Sequence, residues 1–181
     1  MWFKLKYLIF SDLHGSSASA EIIVSKFKEF SCDKMICLGD VLYHGPRNDL
    51  PDNYKPKQVI KILNEYQDKI ICIKGNCDAE VDQMVLSFPI INQLDINLNG
   101  IDCHLEHGHH LDVLKSNAKV IFYGHTHISL ITQNNNQLFI NPGSITIPKN
   151  NTKRSFMVLD EKVLTLYDID NNILLQTNIK A

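Results

Sequence analysis

Asp12, His14, Asp40, Asn76, His107, His125 and His127 are the residues of this chain best suited to chemistry. Each stands in a short polar motif that interrupts an apolar run: SDLHG, LGD, KGNCD, EHGH and YGHTH. Two carboxylates, an amide and four imidazoles gathered in one pocket call for cations. Without them Asp12 and Asp40 would repel each other, and burial would raise their pKa values. Two divalent ions ~3.5–4 Å apart take mixed oxygen and nitrogen donors of this kind and can clamp the attacking and leaving oxygens of a phosphoryl centre. Asp12 and His14, two apart at a strand end, can face the same way, and so can His125 and His127. Gly39, Gly75 and Gly124 precede Asp40, Asn76 and His125 and allow close backbone turns there. One DxH or HxH alone would more often be a cap or a surface group. Several such elements in order, each behind an apolar run, point to a dinuclear metal site.

The apolar runs at 8–10, 35–38, 70–73, 101–105 and 120–123 read as strands. Their ends can meet only if the strands lie side by side and deliver them to one sheet edge, where open α/β sheets form clefts. Between them, apolar spacing predicts amphipathic helices over 19–30 and 57–66, with Pro56 suited to a first turn. The chain to residue 73 is thus β-α-β-α-β, the order of a parallel sheet with crossover helices. A short helix is expected near 80–84. From residue 94 hairpins are expected, the first around Asn99-Gly100, with a brief helix over 111–116. Further strands are expected at 119–123, 129–133, 137–140, 155–159, 163–168 and 173–177. The predicted fold class is α/β, a two-sheet β-sandwich flanked by helices, with 1–181 as one domain.

At 181 residues, 44% of them hydrophobic, the chain can close one good core. Eighteen Lys and Arg against 20 Asp and Glu leave a formal charge of −2 and no basic field. Small diesters are therefore favoured over nucleic acid as substrates. No run reaches the ~18 apolar residues of a membrane span, so no membrane partner is expected. The opening MWFKLKYLIF reads as a core strand rather than a cleaved signal, and the expected location is cytoplasmic. Five cysteines without a CxxC pair exclude a disulfide framework and a zinc knuckle. Cys37, Cys72 and Cys103 fall in strands as core residues, while Cys77 stands among the ligand candidates. The irregular loop over 43–54 carries His44 and Arg47, the best polar groups nearby for a phosphate oxygen or a substrate carboxylate. For Arg47 a loop-anchoring hydrogen bond is the competing reading.

The series D-x-H, G-D, G-N, H-G-H and G-H-x-H resembles the calcineurin-like metallophosphoesterase superfamily. The stretches FSDLHGS, LGDVLYHGPRNDLP, KGNCDAEVDQM, EHGHH, YGHTH and FINPGSITIPK resemble its YfcE-type phosphodiesterase branch, a fold relative of a retromer subunit. The resemblance implies hydrolysis of phosphodiesters with two divalent metals. Manganese is the expected ion, with zinc, iron and cobalt compatible with the donors. It places Asp12, His14 and His127 on one metal and Asn76, His107 and His125 on the other, with Asp40 bridging. Asp40, His107 and His125 are then the groups closest to the reaction. His109 matches a position beside the site. Cys77 stands where many superfamily members have a histidine, which implies a preference for leaving groups of low pKa. The resemblance also implies a homodimer. The alternative functions are a non-catalytic protein-interaction scaffold on the same sandwich and a phosphomonoesterase.

Overall fold

The computed structural model describes residues 4–110 and 116–179. In chain order the elements are β1 (Lys6–Phe10), α1 (Ser17–Glu29), β2 (Lys34–Cys37), α2 (Pro56–Asn64), β3 (Ile70–Ile73), α3 (Glu80–Val85) and β4 (Ile90–Ile91). There follow β5 (Leu94–Leu98), β6 (Ile101–Leu105), β7 (Val120–Phe122), β8 (Ser129–Asn134), β9 (Gln137–Pro142), β10 (Ser155–Asp160), β11 (Val163–Asp168) and β12 (Ile173–Asn178). One sheet has seven strands in the order β12-β11-β10-β1-β2-β3-β4, the other five in the order β5-β6-β7-β9-β8. The α/β two-sheet sandwich expected from the sequence is borne out. The helix expected over 111–116 lies, except for its last residue, outside the described residues.

Pairing along β1-β2-β3-β4 is parallel throughout, with α1 and α2 as crossovers. Pro56 takes the first turn of α2, where its missing N–H costs nothing. Ser16 caps α1 by accepting from the Ser19 N–H at 3.3 Å. The second half departs from the hairpins expected of it. β5–β6 and β8–β9 are antiparallel, but β6–β7 and β7–β9 are parallel. Periodicity reports which residues face inward, not strand direction. The parallel pairing brings the C-terminal ends of β6 and β7, just before His107 and His125, to the same edge.

Alternation along β1 explains its unbroken apolar run. Leu8 and Phe10 pack under the helices with Ala20, Ile23, Val59 and Leu63, while Tyr7 and Ile9 enter the core between the two sheets. Cys37 and Cys72 are buried in the first of these cores and Cys103 in the second. Asn99 and Gly100 both have positive φ, 54° and 86°, as a tight two-residue hairpin requires. Asn99 also ties the hairpin to β1. Its Oδ1 accepts from the Leu5 N–H at 3.0 Å and its Nδ2 donates to the Leu5 carbonyl at 2.8 Å.

Candidate metal centre

Backbone bonds carry the β1–β2 register past the strand ends and into the ligand loops. The N–H groups of Asp12, His14 and Gly15 donate to the carbonyls of Gly39, Asp40 and Val41 at 3.1, 2.8 and 2.8 Å. Five of the seven candidates hold left-handed backbone: Asp12, His14, Asp40, His125 and His127, with φ between 49° and 67°. Non-glycine residues rarely stay there unless their surroundings force it, and such strain gathers at functional sites. The three preceding glycines serve two different purposes. Gly39 supplies a φ of 102°. Gly75 and Gly124 lack positive φ and instead let side chains approach, since a Cβ on Gly75 would collide with Asp40 Oδ1 and one on Gly124 with Ser11 Oγ.

Three imidazoles are fixed in one tautomer by backbone carbonyls. His14 Nδ1–H donates to Tyr43 at 2.8 Å, His127 Nδ1–H to Ile147 at 2.8 Å, and His107 Nδ1–H to Leu38 at 2.6 Å. A carbonyl can only accept, so in each neutral ring the bare nitrogen is Nε2, and all three Nε2 atoms point inward. His14 Nε2 and His127 Nε2 lie 3.2 Å apart, and Asp12 Oδ1 is 3.7 and 3.3 Å from them. That Oδ1 is buried and accepts no hydrogen bond, while Oδ2 accepts from the His125 N–H at 3.1 Å. Asp40 divides its oxygens in the same manner. Oδ1 accepts from the Cys77 N–H at 2.8 Å, and Oδ2 stands 3.6 Å from His14 Nε2 and 3.4 Å from His107 Nε2. On the far side, Asn76 Oδ1 is 3.1 Å from His107 Nε2. The His125 ring, half-buried, is centred 5.2 Å from that of His107.

Lone pairs facing lone pairs across 3 to 4 Å with nothing between them would be repulsive. These donors fit divalent cations, with Asp12, His14 and His127 forming one close group and Asp12, Asp40 and His107 an adjoining one. The site's protonation shows the same demand for positive charge. Burial pushes the His107 imidazole down, but the Asp40 and Asp12 carboxylates together lift it to about 9. Burial likewise pushes Asp12 up, and its contacts with His127 and His14 more than reverse that. His125 is held below the usual imidazole range by burial and by His107.

The candidates for substrate contact separate. Arg47 and Cys77 line a narrow cleft over Asp40, Asn76, His125 and His127. Burial and the neighbouring Asp40 push the Cys77 thiol up to about 12, so it stays protonated and is a poor nucleophile. The His44 ring instead packs between Tyr43 and Tyr54, with centroids at 4.7 and 5.3 Å. His109 lies beside His107, their centroids 5.5 Å apart, on the wall of an adjoining cavity. Sequence reasoning passed over Lys149, an exposed cation that shares the cleft with Arg47. It also passed over Asp78, which is buried and accepts from the N–H groups of Asp40, Val41 and Gly75 at 2.8, 2.7 and 2.7 Å, locking two ligand loops together. The stretch 141–147, quoted in the sequence only for its resemblance, also supports the ligand loops. Ser144 Oγ donates to the Asp12 carbonyl at 2.9 Å and Asn141 Nδ2 to the Gly124 carbonyl at 2.7 Å.

Residues 5–163 match the calcineurin-like phosphoesterase superfamily domain. The chain belongs to this superfamily. It is 40% identical to phosphodiesterase YfcE of Escherichia coli K12 over 182 residues, covering 97% of this chain and 98% of the relative. The solved structure of the E. coli YfcE phosphoesterase superposes with a TM-score of 0.93 at 38% identity, over 97% of this chain and 100% of that one. A phosphodiesterase of Methanocaldococcus jannaschii is 25% identical over 151 residues, 77% of this chain and 83% of the relative. The vacuolar protein sorting 29 structure from Cryptosporidium parvum has a TM-score of 0.64 at 18% identity, covering 98% of this chain and 100% of that one, a likeness of fold alone.

Proposed function

We propose that this chain is a metal-dependent phosphodiesterase acting on a small diester. The observation that carries the reading is the placement of Asp40 Oδ2 between the inward Nε2 atoms of His14 and His107, at 3.6 and 3.4 Å. Asp12, His14 and His127 would hold one divalent ion and Asn76, His107 and His125 the other, with Asp40 contributing to both. When bound, the ions supply activation of the attacking water and neutralisation of phosphate charge.

The protein's own groups do the rest. The Tyr43, Ile147 and Leu38 carbonyls hold three imidazoles in the ligating tautomer, and Asp78 holds the Asp40 and Gly75 loops together. Arg47 and Lys149 bring positive charge to the cleft for the non-bridging phosphate oxygens. Cys77 offers only a neutral thiol, a weak donor, where a cationic imidazole could assist a leaving oxygen, so activated diesters are cleaved fastest. Manganese is the proposed activating ion, as the family resemblance of the sequence implies; the donors themselves also accept zinc, iron or cobalt.

Among the described residues no helix is long and apolar enough to cross a membrane. Free thiols at Cys32, Cys37, Cys72, Cys77 and Cys103 suit a reducing compartment and support a cytoplasmic location. Edge strand β12 exposes Ile173, Leu174 and Leu175, which supports a homodimer. Light scattering at micromolar concentration tests that assembly.

The deciding experiment replaces Asp40 by Asn and follows bis-p-nitrophenyl phosphate. Turnover should fall by about a thousandfold or more. A variant that keeps turnover within tenfold at equal metal content would overturn the reading. A higher kcat/KM for p-nitrophenyl phosphate than for the diester, with every metal tried, would make the protein a phosphomonoesterase instead.

A further inference from the structure

Beyond the cleft lies a feature that the metal centre does not use. Ile101, Cys103 and Leu105 of β6 turn into the core between the sheets, so His104 and Glu106 alternate to the other face. Both are nonetheless buried, His104 to 3% and Glu106 to 7% exposure. Among the described residues His104 has one partner, since its Nδ1–H donates to Asp95 on β5 at 2.6 Å, and its Nε2 has none. That Nε2 stands 3.9 Å from Glu106 Oε2, too far for a hydrogen bond. The Glu106 carboxylate accepts nothing from the described residues, and its Oε1 is buried without a partner. A carboxylate on a side chain nine-tenths buried, with empty acceptor sites, is costly unless something fills them.

Glu106 directly precedes His107 and lines a cavity of about 670 Å³ that opens beside Asn76 and His107. Gly75 and Asp78 also line it, the Asp78 carboxylate being taken by three backbone N–H groups, and the rest of the wall is rich in donors: the Lys74 ammonium, the Asn92 and Gln93 amides, and the His109 and His110 rings. Among the described residues no Phe, Tyr or Trp lines it, so they offer none of the platforms on which a nucleobase usually stacks. Donors around one unfilled acceptor suit a group that both gives and takes hydrogen bonds at adjacent positions, which is what vicinal hydroxyls do.

We propose that this cavity receives the non-reacting arm of the diester, that the arm is a polyol of the glycerol or sugar type, and that Glu106 accepts a hydrogen bond from one of its hydroxyls. The inference rests on the phosphodiesterase reading above. Glu106 is thereby a specificity residue.

Two diesters with the same leaving group test it: p-nitrophenyl glyceryl phosphate and p-nitrophenyl propyl phosphate, offered to the metal-loaded protein. The parent should favour the glyceryl ester by about 10- to 100-fold in kcat/KM, the range of one hydrogen bond to a buried charge. Glu106→Leu should bring the ratio near one, and Glu106→Gln, which keeps an acceptor and the shape, should fall between. Calorimetry with the non-hydrolysable methylphosphonate analogues of the two esters should give the same ratio in affinity and the same loss. A parent that hydrolyses both esters equally and binds both analogues equally overturns the inference while the function stands. If neither ester is hydrolysed, the function reading fails, and the calorimetric ratio alone judges the cavity. A Glu106→Leu variant that loses thermal stability but keeps the ratio would show that Glu106 serves only His104, which also overturns it. A stronger preference for an aminoethyl ester than for the glyceryl ester would overturn the polyol assignment.

Discussion

The Nε2 atoms of His14 and His127 face each other at 3.2 Å, each on a ring whose Nδ1–H is already given to a carbonyl. Neither ring can donate to the other while both are neutral. The pair is arranged for a cation, and the cation should therefore hold the fold together.

Chelation with EDTA should lower the melting temperature, and readded manganese should restore it. At a hundredfold excess over Kd the ion contributes about 2.7 kcal/mol, or roughly 5–10 °C for a chain of this size. Replacing His127 by Ala should remove most of that increment. Thermal melts of both proteins, with and without metal, measure it directly.

Asp78 touches no candidate ligand side chain, yet three backbone N–H groups depend on it. Asp78→Ala should cost about 3 kcal/mol by stranding them, visible in urea denaturation, and should lower turnover by loosening Asp40. Asp78→Asn retains acceptor capacity and should lose less on both counts.

Gly75→Ala should cost stability and damage the site. The added methyl would meet Asp40 Oδ1 and also the Asp40 backbone N, driving the two ligand loops apart. Melting followed by circular dichroism should come earlier than in the parent, and calorimetric titration with manganese should show at least a tenfold weaker site.

Asp168 sets a pH dependence far from the metals. Burial pushes its carboxyl up, but Lys153 at 2.7 Å and Asn172 together hold it at about 2. Because the folded pKa is depressed, the stabilisation is present above the unfolded value of about 4 and is lost as pH falls from there towards about 2. Lys153 is exposed and screened by solvent, so the contribution is small. The stability gap between parent and Asp168→Asn, from urea unfolding at pH 6, 4 and 3, should shrink as pH falls.

The ligand candidates were legible because each follows an apolar run, and a polar residue at a strand end advertises itself. Sheet pairing in the second half was not. Nothing in the residues of β6 and β7 states that they run parallel, because direction depends on the path of the connection between them. Asp78 was equally hidden, since its role lies in contacts with Asp40 and Val41, up to 38 residues away. Lys149 looks like any surface lysine until β9 and the turn after it place it beside Arg47. His44 shows the converse. Its neighbours in sequence suggested a substrate contact, whereas Tyr43 and Tyr54 flank its ring.

The left-handed backbone at Asp12, His14, Asp40, His125 and His127 has an evolutionary consequence. Glycine or asparagine would sit more comfortably at each of these positions, so selection for stability alone would drift towards them and away from the ligands. Where the strained aspartates and histidines persist together, as they do here, the pressure that keeps them is chemical.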